Sequence, residues 1–446
     1  MRATASASAA DGELLLVAYQ CGPGLGSVSQ LGWQWFTGLA ARRAVCLVTH
    51  VRNRQAIEAA PDRPTAARVI YIDTEWFAGP LYRLSRRLFP QSEHAVFMLS
   101  QLDWFVFDAV ALRTLHRERA AGARWKLLHL VTPVTVSAPT RLHRLGLPVV
   151  RGPLNCGLPV PPGFEALMRR DAMGLSRLRV LPRLVEALFG SLHSSAAVLV
   201  ATAATRAALP RALRADALQM LENAVDAEQF SAAAPIPPPG DGRALRLSFV
   251  GRLVPVKALP LLLQAMAQLQ HEGLAVALEV VGSGPMAGPW RDAAAQLGLA
   301  GCVRWLGALD AAGVARVVQG SHVFCLPSVR ESGGAVLLEA MACARPVIGM
   351  DFGGPAEVVD ASVGWKVPMP DSAAAVAGLV DALRQAHAQP DEAVRRGLQG
   401  RSRVLAHHTW AAKLAAAEAL YAALLSHASG AARPERSAPP VSALPR

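Results

Sequence analysis

Short apolar runs alternate with longer stretches of helical periodicity along almost the whole chain. In the first half the runs are LLLVAY (14–19), AVCLVTH (44–50), VIYID (69–73), KLLHLV (126–131), LPVV (147–150) and AAVLVAT (196–202). In the second half they are LRLSFV (245–250), VALEVVG (276–282), VRWLG (303–307), HVFCLP (322–327) and RPVIGM (345–350). Strands that are apolar at consecutive positions are buried on both faces. Interleaved with helices, they predict parallel sheets covered on both sides. The rhythm breaks at SAAAPIPPPGDGR (231–243), where proline and glycine exclude a helix or a central strand, so this stretch is the expected interdomain linker. The predicted fold class is α/β, with two Rossmann-like, doubly wound parallel-sheet domains over 12–230 and 244–408. Ligands of such sheets sit outside the carboxyl ends of the strands, so the two domains are expected to face a central cleft. A helix over 409–426 is expected to pack back on the first domain. Residues 1–11 and 427–446 are expected to be a disordered leader and tail. The leader lacks the apolar core of a secretory signal.

Composition narrows the picture. A chain of 446 residues suits two or three domains, and 52% hydrophobic against 17% charged residues excludes global disorder. The formal net charge of +12 allows an anionic membrane, a nucleic acid or a phosphorylated ligand as partner. It is equally the mark of an arginine-rich, GC-biased coding sequence. No basic cluster is interleaved with stacking aromatics, so nucleic acid is not an expected partner. The six cysteines (Cys21, Cys46, Cys156, Cys302, Cys325 and Cys343) form no C-x-x-C pair and no zinc spacing, and most sit in apolar runs. They read as reduced, buried thiols of a cytoplasmic protein. No uncharged stretch is long enough to span a bilayer, so any membrane contact is expected to be peripheral, at the inner face of the plasma membrane.

The richest chemistry lies in the second half. In FVGRLVPVKALPLLLQAM (249–266) a strand ends, Gly251 turns the chain, and a helix is expected from about Ala258. Arg252 and Lys257 bracket that turn. Two cations beside free amides at a helix start suit a diphosphate, although an ordinary surface loop can look the same. VVGSGP (280–285) is a second strand end rich in glycine, with Gly282 and Gly284. PSVRESGGAVLLEAMACARPVI (327–348) is the third. Its loop holds Glu331, Ser332, Gly333 and Gly334, and a helix expected from Ala335 carries Glu339, giving an E-x7-E spacing. Acids near a helix N-terminus complement the macrodipole. Glu339, however, lies in an apolar helix, where a lone carboxylate is costly. A ribose diol would satisfy it. Glu331 could reach the hydroxyls of a second ring, and the glycines leave amides open to sugar or phosphate.

Taken together, GRL…K, VGSGP and R-E-S-G-G-x4-E-A-M-A resemble glycosyltransferase family 4, which has the GT-B fold. The resemblance spans most of 12–425 and is most specific from 249 to 359. It implies that Arg252 and Lys257 neutralise a donor diphosphate, that Glu331 contacts the donor sugar and that Glu339 holds the ribose. Gly251, Gly282, Gly284, Ser332, Gly333 and Gly334 then frame the donor. DFGGPAE (351–357) resembles the family's next segment and is expected to shape the acceptor side or the domain seam.

In the first half, CGPGLGSVSQLGWQW (21–35) resembles the N-terminal glycine loop of a subgroup of the family, so Gly24 and Gly26 are expected to approach the donor. Val28 replaces an acid common in that subgroup. Trp33 and Trp35 either stack on the acceptor or pack in the core. His129, in LLHLVTPVT (127–135), reads either as a satisfied core histidine or, as the resemblance implies, as the family's strand-end histidine that faces the donor sugar. RGPLNCGLPVPPGF (151–164) resembles a loop over the acceptor cleft, with Cys156 at a position where glycine is common. LENAVD (221–226) resembles a turn that carries Gly where this chain has Ala224.

These features imply a retaining, metal-independent hexosyltransferase. Its donor substrate is a UDP- or GDP-linked sugar, it needs no cofactor, and it lacks a D-x-D segment for a metal. The acceptor is a saccharide or lipid-linked saccharide in cell-envelope polysaccharide synthesis. LYRLSRRLFP (81–90) and SRLRVLPRLVEALFG (176–190) mix Arg with Leu and Phe. They read either as contacts to an anionic membrane surface or as helices with a core-facing apolar side. Two rival functions stand beside the transferase: a GT-B sugar-nucleotide epimerase and a non-catalytic sugar-nucleotide-binding partner subunit.

Overall fold

The computed structural model describes residues 13–88, 102–156, 158, 161, 163–165, 189–232, 236–240 and 242–428. They form two compact units. One gathers the described residues up to 156, those of 189–222, and the chain from Lys413 on; the other gathers those of 158–165 and Asn223–Ala412.

The first unit is built on β1 (Glu13–Ala18), β2 (Val45–His50), β3 (Arg68–Ile72), β4 (Trp125–Thr132), β5 (Val149–Leu154), β6 (Ala197–Val200) and β7 (Leu218–Gln219). Their order is β3-β2-β1-β4-β5-β6-β7, and every pairing is parallel. The helices are α1 (Ser27–Ala40), α2 (Arg54–Glu58), α3 (Glu75–Leu88), α4 (Asp103–Ala120) and α5 (Ala203–Ala208). The apolar run of β1 is buried from Leu14 to Ala18, as a central strand covered on both faces must be. Helix α1 lies close to the chain leaving β1, because a Cβ on Gly32 would sit 2.3 Å from the Gln20 carbonyl oxygen. Trp33 and Trp35 are buried on this helix, and Trp33 Nε1 donates to Asp62 Oδ2 at 3.1 Å. Both are core residues; the stacking alternative for them is not met.

The second unit holds β8 (Leu245–Val250), β9 (Val276–Val281), β10 (Val303–Gly307), β11 (Val323–Leu326), β12 (Val347–Met350) and β13 (Gly364–Val367). They run in the order β10-β9-β8-β11-β12-β13, again parallel throughout. Around them lie α6 (Leu259–His271), α7 (Ala287–Gln296), α8 (Ala311–Gln319), α9 (Ala335–Ala342), α10 (Gly354–Val358), α11 (Ser372–Ala388) and α12 (Pro390–His407). One core cluster gathers Phe249, Leu278 and Ile348 of the sheet with Leu262 and Met266 of α6 and Leu379 of α11. Helix α13 (Trp410–Ala428) follows, and from Lys413 it belongs to the first unit.

The two doubly wound sheets read from the apolar runs are therefore present. Two strands had no such signal: β7 is two exposed residues, and β13 mixes glycine and lysine into its four. The 231–243 stretch is not a free linker. Gln319 Nε2 donates to the Ser231 carbonyl and His322 Nε2 contacts the Pro237 carbonyl, both at 2.8 Å, which ties it to the second unit. The chain changes unit earlier, at Glu222/Asn223, and returns at Ala412/Lys413. The expected leader, residues 429–446 of the expected tail, and nearly all of 176–190 lie outside the described residues. Residues 81–88 form the second half of α3, where Tyr82, Leu84 and Leu88 are exposed. No helix among the described residues is long and apolar enough to cross a membrane.

Gly364 tests the packing of the second sheet. A Cβ there would fall 1.9 Å from the Val347 carbonyl oxygen, on the neighbouring strand. Gly364→Ala is expected to cost about 2 kcal/mol or more, as overpacking against backbone does. Urea unfolding reads this as a lowered midpoint, and an unchanged midpoint would contradict the register of β12 and β13.

Candidate active site

Three strand-end loops of the second unit converge, and each needs glycine for a different reason. After β8 the chain turns at Gly251, and the aliphatic part of Lys257 lies beside it, with Cε 3.5 Å from where a Cβ would stand. Pro255–Lys257 forms a 3-10 turn, and Ala258 takes φ 47°, a left-handed conformation rare for a side-chain-bearing residue, before α6 begins. After β9 the chain passes so close to that turn that a Cβ on Gly282 would lie 1.9 Å from the Gly251 carbonyl oxygen. One on Gly284 would lie 2.4 Å from that of Leu253. Backbone bonds in both directions lock the two loops: Gly251 N donates to Val281 O at 3.0 Å and Leu253 N to Ser283 O at 2.8 Å, and Met286 N donates back to Leu253 O at 3.0 Å.

The third loop follows β11. Val329 N donates to Val256 O at 3.0 Å, which fixes the loop against the 3-10 turn. Lys257 Nζ then forms an ion pair with Glu331 Oε2, while Glu331 Oε1 accepts from the Gly334 amide at 3.3 Å. Gly334 is left-handed, with φ 58°, and starts α9 with no side-chain cap. The amides of Ser332 and Gly333 have no partner among the described residues. Free amides, a helix N-terminus and Lys257 thus share one place, the ordinary composition of an anion site. Arg252 stands exposed on the same turn after β8.

The Gly-Gly-Pro segment braces this loop from behind. Gly354 N donates to Glu331 O at 2.8 Å, and a Cβ on Gly353 would lie 2.2 Å from that same oxygen. The sequence pointed it at an acceptor or a seam. Its placement makes it a support that positions Glu331.

Glu339 sits on α9, half-buried among Leu337, Leu338, Ala340 and Met341. Burial raises its carboxyl from 4.5 to about 7. Among the described residues its carboxylate has no hydrogen-bond or ion-pair partner. An acceptor-rich group left without donors is what a ligand diol would complete.

The first-unit residues are arranged differently. Gly24 (φ 73°) and Gly26 (φ 104°) form the loop between β1 and α1, and a Cβ on either would meet nothing within 4 Å. That loop is open. His129 is not at a strand end, because β4 continues to Thr132. It is fully buried, with Nε2 2.7 Å from the Gly152 carbonyl and Nδ1 2.6 Å from the Tyr421 hydroxyl. Trp35 packs edge-on against its ring. Burial lowers its pKa to about 4, so the ring is neutral. One nitrogen donates to the carbonyl and the other accepts from tyrosine, which leaves neither for a ligand. The expected sugar-facing role of His129 is corrected to that of a core histidine.

Residues 241–400 match the family described as Glycosyl transferases group 1, a span that contains all three converging loops. Among curated proteins, the chain is 34% identical over 164 residues to a D-inositol 3-phosphate glycosyltransferase of Gordonia bronchialis, covering 35% of each. It is 37% identical over 199 residues to a phosphatidyl-myo-inositol mannosyltransferase of Mycobacterium tuberculosis, covering 42% of this chain and 51% of that protein. The aligned part of the chain thus spans between about a third and a half of the length of these relatives. Among solved structures, sucrose-phosphate synthase of Thermosynechococcus elongatus superposes with a TM-score of 0.62 at 21% identity, covering 93% of this chain and all (100%) of that one. HepE of Anabaena in complex with UDP superposes with a TM-score of 0.61 at 16% identity over 92% and 100% of the two chains. The fold is the GT-B class expected from the sequence.

The raised carboxyl of Glu339 has a signed consequence. Between about pH 4.5 and 7 the folded protein keeps a proton that the unfolded chain has lost, so stability falls as pH rises through that window. The expected loss is on the order of 1–3 kcal/mol. Glu339→Gln should flatten it, as read from urea midpoints at a series of pH values. A variant with the wild-type slope would show that Glu339 is not the group responsible.

Proposed function

We propose that this chain is a retaining glycosyltransferase. It moves a hexose from a UDP- or GDP-linked donor to a hydroxyl of a saccharide or lipid-linked saccharide acceptor in the assembly of cell-envelope polysaccharide. The observation that carries the reading is the meeting of Lys257, Glu331 and the free amides of Ser332 and Gly333 at the start of α9, with the donor-less Glu339 on the same helix. A sugar nucleotide needs that combination: cations and amides for the diphosphate, one acid for the ribose and another for the hexose. The family match over 241–400 and the UDP bound in the HepE structure support it.

Lys257 serves the diphosphate without abandoning Glu331, because an ammonium has three donors. Arg252 adds a planar guanidinium able to grip two phosphate oxygens. As the bond from the anomeric carbon to the phosphate oxygen breaks, charge gathers on that oxygen. Lys257, Arg252 and the α9 amides then stabilise it electrostatically. The acceptor oxygen bonds to the same face of the anomeric carbon, and its proton passes to the departing phosphate oxygen. This route retains configuration and asks for no protein base, in keeping with a His129 that has no free nitrogen.

The lipid-linked form of the acceptor, and a peripheral place at an anionic membrane, draw on α3. Its exposed Trp76, Tyr82, Leu84 and Leu88 stand among Arg83, Arg86 and Arg87. Co-sedimentation with anionic vesicles at low salt, lost at high salt, is the result that this part of the proposal requires.

Lys257→Ala and Glu331→Ala are each expected to lower kcat/KM by about a hundredfold or more while leaving the fold intact. Activity should persist in EDTA. A thermal-shift panel of UDP, GDP, ADP and their sugars names the donor, and wild-type rates in both variants would remove the site. Hydroxyls of a bound ribose favour the charged form of Glu339. Nucleotide affinity should therefore rise between about pH 5.5 and 7.5 and lose that dependence in Glu339→Gln.

A further inference from the structure

The first unit contains a cavity of about 260 Å³ lined by Arg52, Glu75, Ala78, Gly79, Tyr82 and Asp103. It opens where ligands of parallel sheets bind, just beyond strand carboxyl ends: Arg52 follows β2, and Glu75 follows β3. Drug-sized pockets run to about 300–1,000 Å³, so this one has room for a single six-membered ring.

Its floor is fixed in advance. Asp103 is buried at the start of α4, and its carboxylate accepts from the Tyr19 hydroxyl at 2.6 Å, the Thr74 hydroxyl at 2.9 Å and Arg52 Nη2 at 3.4 Å. His50 Nε2 lies 2.8 Å from Thr74 Oγ1, and His50 Nδ1 accepts from the Arg52 amide at 3.1 Å. Burial and the Arg52 charge push His50 down to about 3, so it adds no charge. Arg52 is the one cation among the described lining residues. It is held by both carboxylates, with Nε 3.1 Å and Nη2 3.0 Å from Glu75 Oε1. Beyond the lining, Asp73 Oδ1 accepts from the Glu75 backbone amide at 2.9 Å, and Arg83 Nη1 and Glu75 Oε2 lie 3.6 and 3.7 Å from where a Cβ on Gly79 would stand. Glu75 Oε2 has no donor among the described residues, and Tyr82 stands half-exposed at the rim.

We propose that this cavity binds a neutral, polyhydroxylated ring and discriminates against its phosphate esters. Two carboxylates face one already engaged guanidinium, so the lining is net negative. An anion would face two carboxylates that already offset the charge of the one guanidinium, whereas a neutral hydroxyl can donate to Glu75 Oε2 and accept from a remaining guanidinium N–H without that repulsion. The Tyr82 ring offers an apolar face for the C–H side of a sugar. The identification of this ring as the acceptor of transfer rests on the function proposed above; the recognition chemistry does not.

The test is saturation-transfer NMR on the full chain with methyl glycosides of glucose, mannose, galactose and N-acetylglucosamine, each beside its 6-phosphate, with UDP and GDP thermal shifts run on the same samples. At least one neutral glycoside is expected to bind, with affinity about tenfold lower in Tyr82→Ala and in Glu75→Gln, and its 6-phosphate to bind at least about tenfold more weakly. Tyr82 is 52% exposed, so its loss should spare the fold, which a thermal melt verifies. Absence of any Tyr82-dependent neutral ligand, or a phosphate ester binding as well as its parent, overturns the proposal. UDP or GDP binding without glycoside binding would defeat this inference alone. Glycoside binding with neither UDP nor GDP binding would defeat the transferase reading and leave the cavity assignment standing.

Discussion

The Lys257–Glu331 ion pair joins two loops that sequence keeps apart, one after β8 and one after β11. Both side chains are mostly sheltered, at 16% and 14% exposure, so the pair is less screened than a surface bridge. Removing either partner would strand a desolvated charge, which costs more than the pair itself contributes. The pair therefore defines where the rest of the site can be. It holds Glu331 so that Oε1 meets the Gly334 amide, which sets the start of α9 and hence the direction of its free N–H groups. Around it the glycines act as spacers. Gly282, Gly284 and Gly353 each place backbone where a Cβ would collide with the carbonyl oxygen of a neighbouring loop.

Glu339 follows the opposite rule. A half-buried carboxyl without donors lowers stability at neutral pH, and a hydrophobic residue at its place in α9 would pack at no such cost. Its position among Leu337, Leu338 and Met341 makes sense when the missing donors arrive with a ligand. The site is thus partly self-satisfied, at Lys257 and Glu331, and partly unsatisfied, at Glu339 and the amides of Ser332 and Gly333. The satisfied part holds geometry without ligand, and the unsatisfied part supplies affinity when one binds.

How legible this was depended on whether a feature is local in sequence. Consecutive apolar runs announced all but two of the strands, because burial on both faces leaves a continuous signature. β13 escaped because its four residues include Gly364 and the exposed Lys366. The position of Arg252, Lys257 and Glu331 in strand-end loops, and of Glu339 on the helix after the third, was legible for the same reason, through glycine turns adjoining those runs. His129 was misplaced because a histidine inside an apolar run looks the same whether the strand stops or continues. Its partners, Gly152 and Tyr421, lie 23 and 292 residues away. The bracing role of Gly353 and Gly354 depends on a contact across the sheet that no local pattern encodes. The same holds for the Asp103 network, whose members come from the end of β2, the segments that follow β1, β2 and β3, and α4.

The two sets of acids and bases also differ in charge logic. In the second unit Lys257 retains spare donors and Arg252 is exposed, so cationic capacity is available beside unpaired amides. In the first unit the charge of Arg52 is offset by Glu75 and Asp103, and Glu75 Oε2 is an acceptor without a donor among the described residues. An anion is therefore favoured in one place and disfavoured in the other, although the chain as a whole carries +12. The overall charge says little about either site. What decides is whether each guanidinium or ammonium already has its carboxylates. The proposed transfer, which holds a dianionic leaving group while admitting a neutral hydroxyl, would draw on this separation, since a phosphate-seeking pocket would compete for the donor itself.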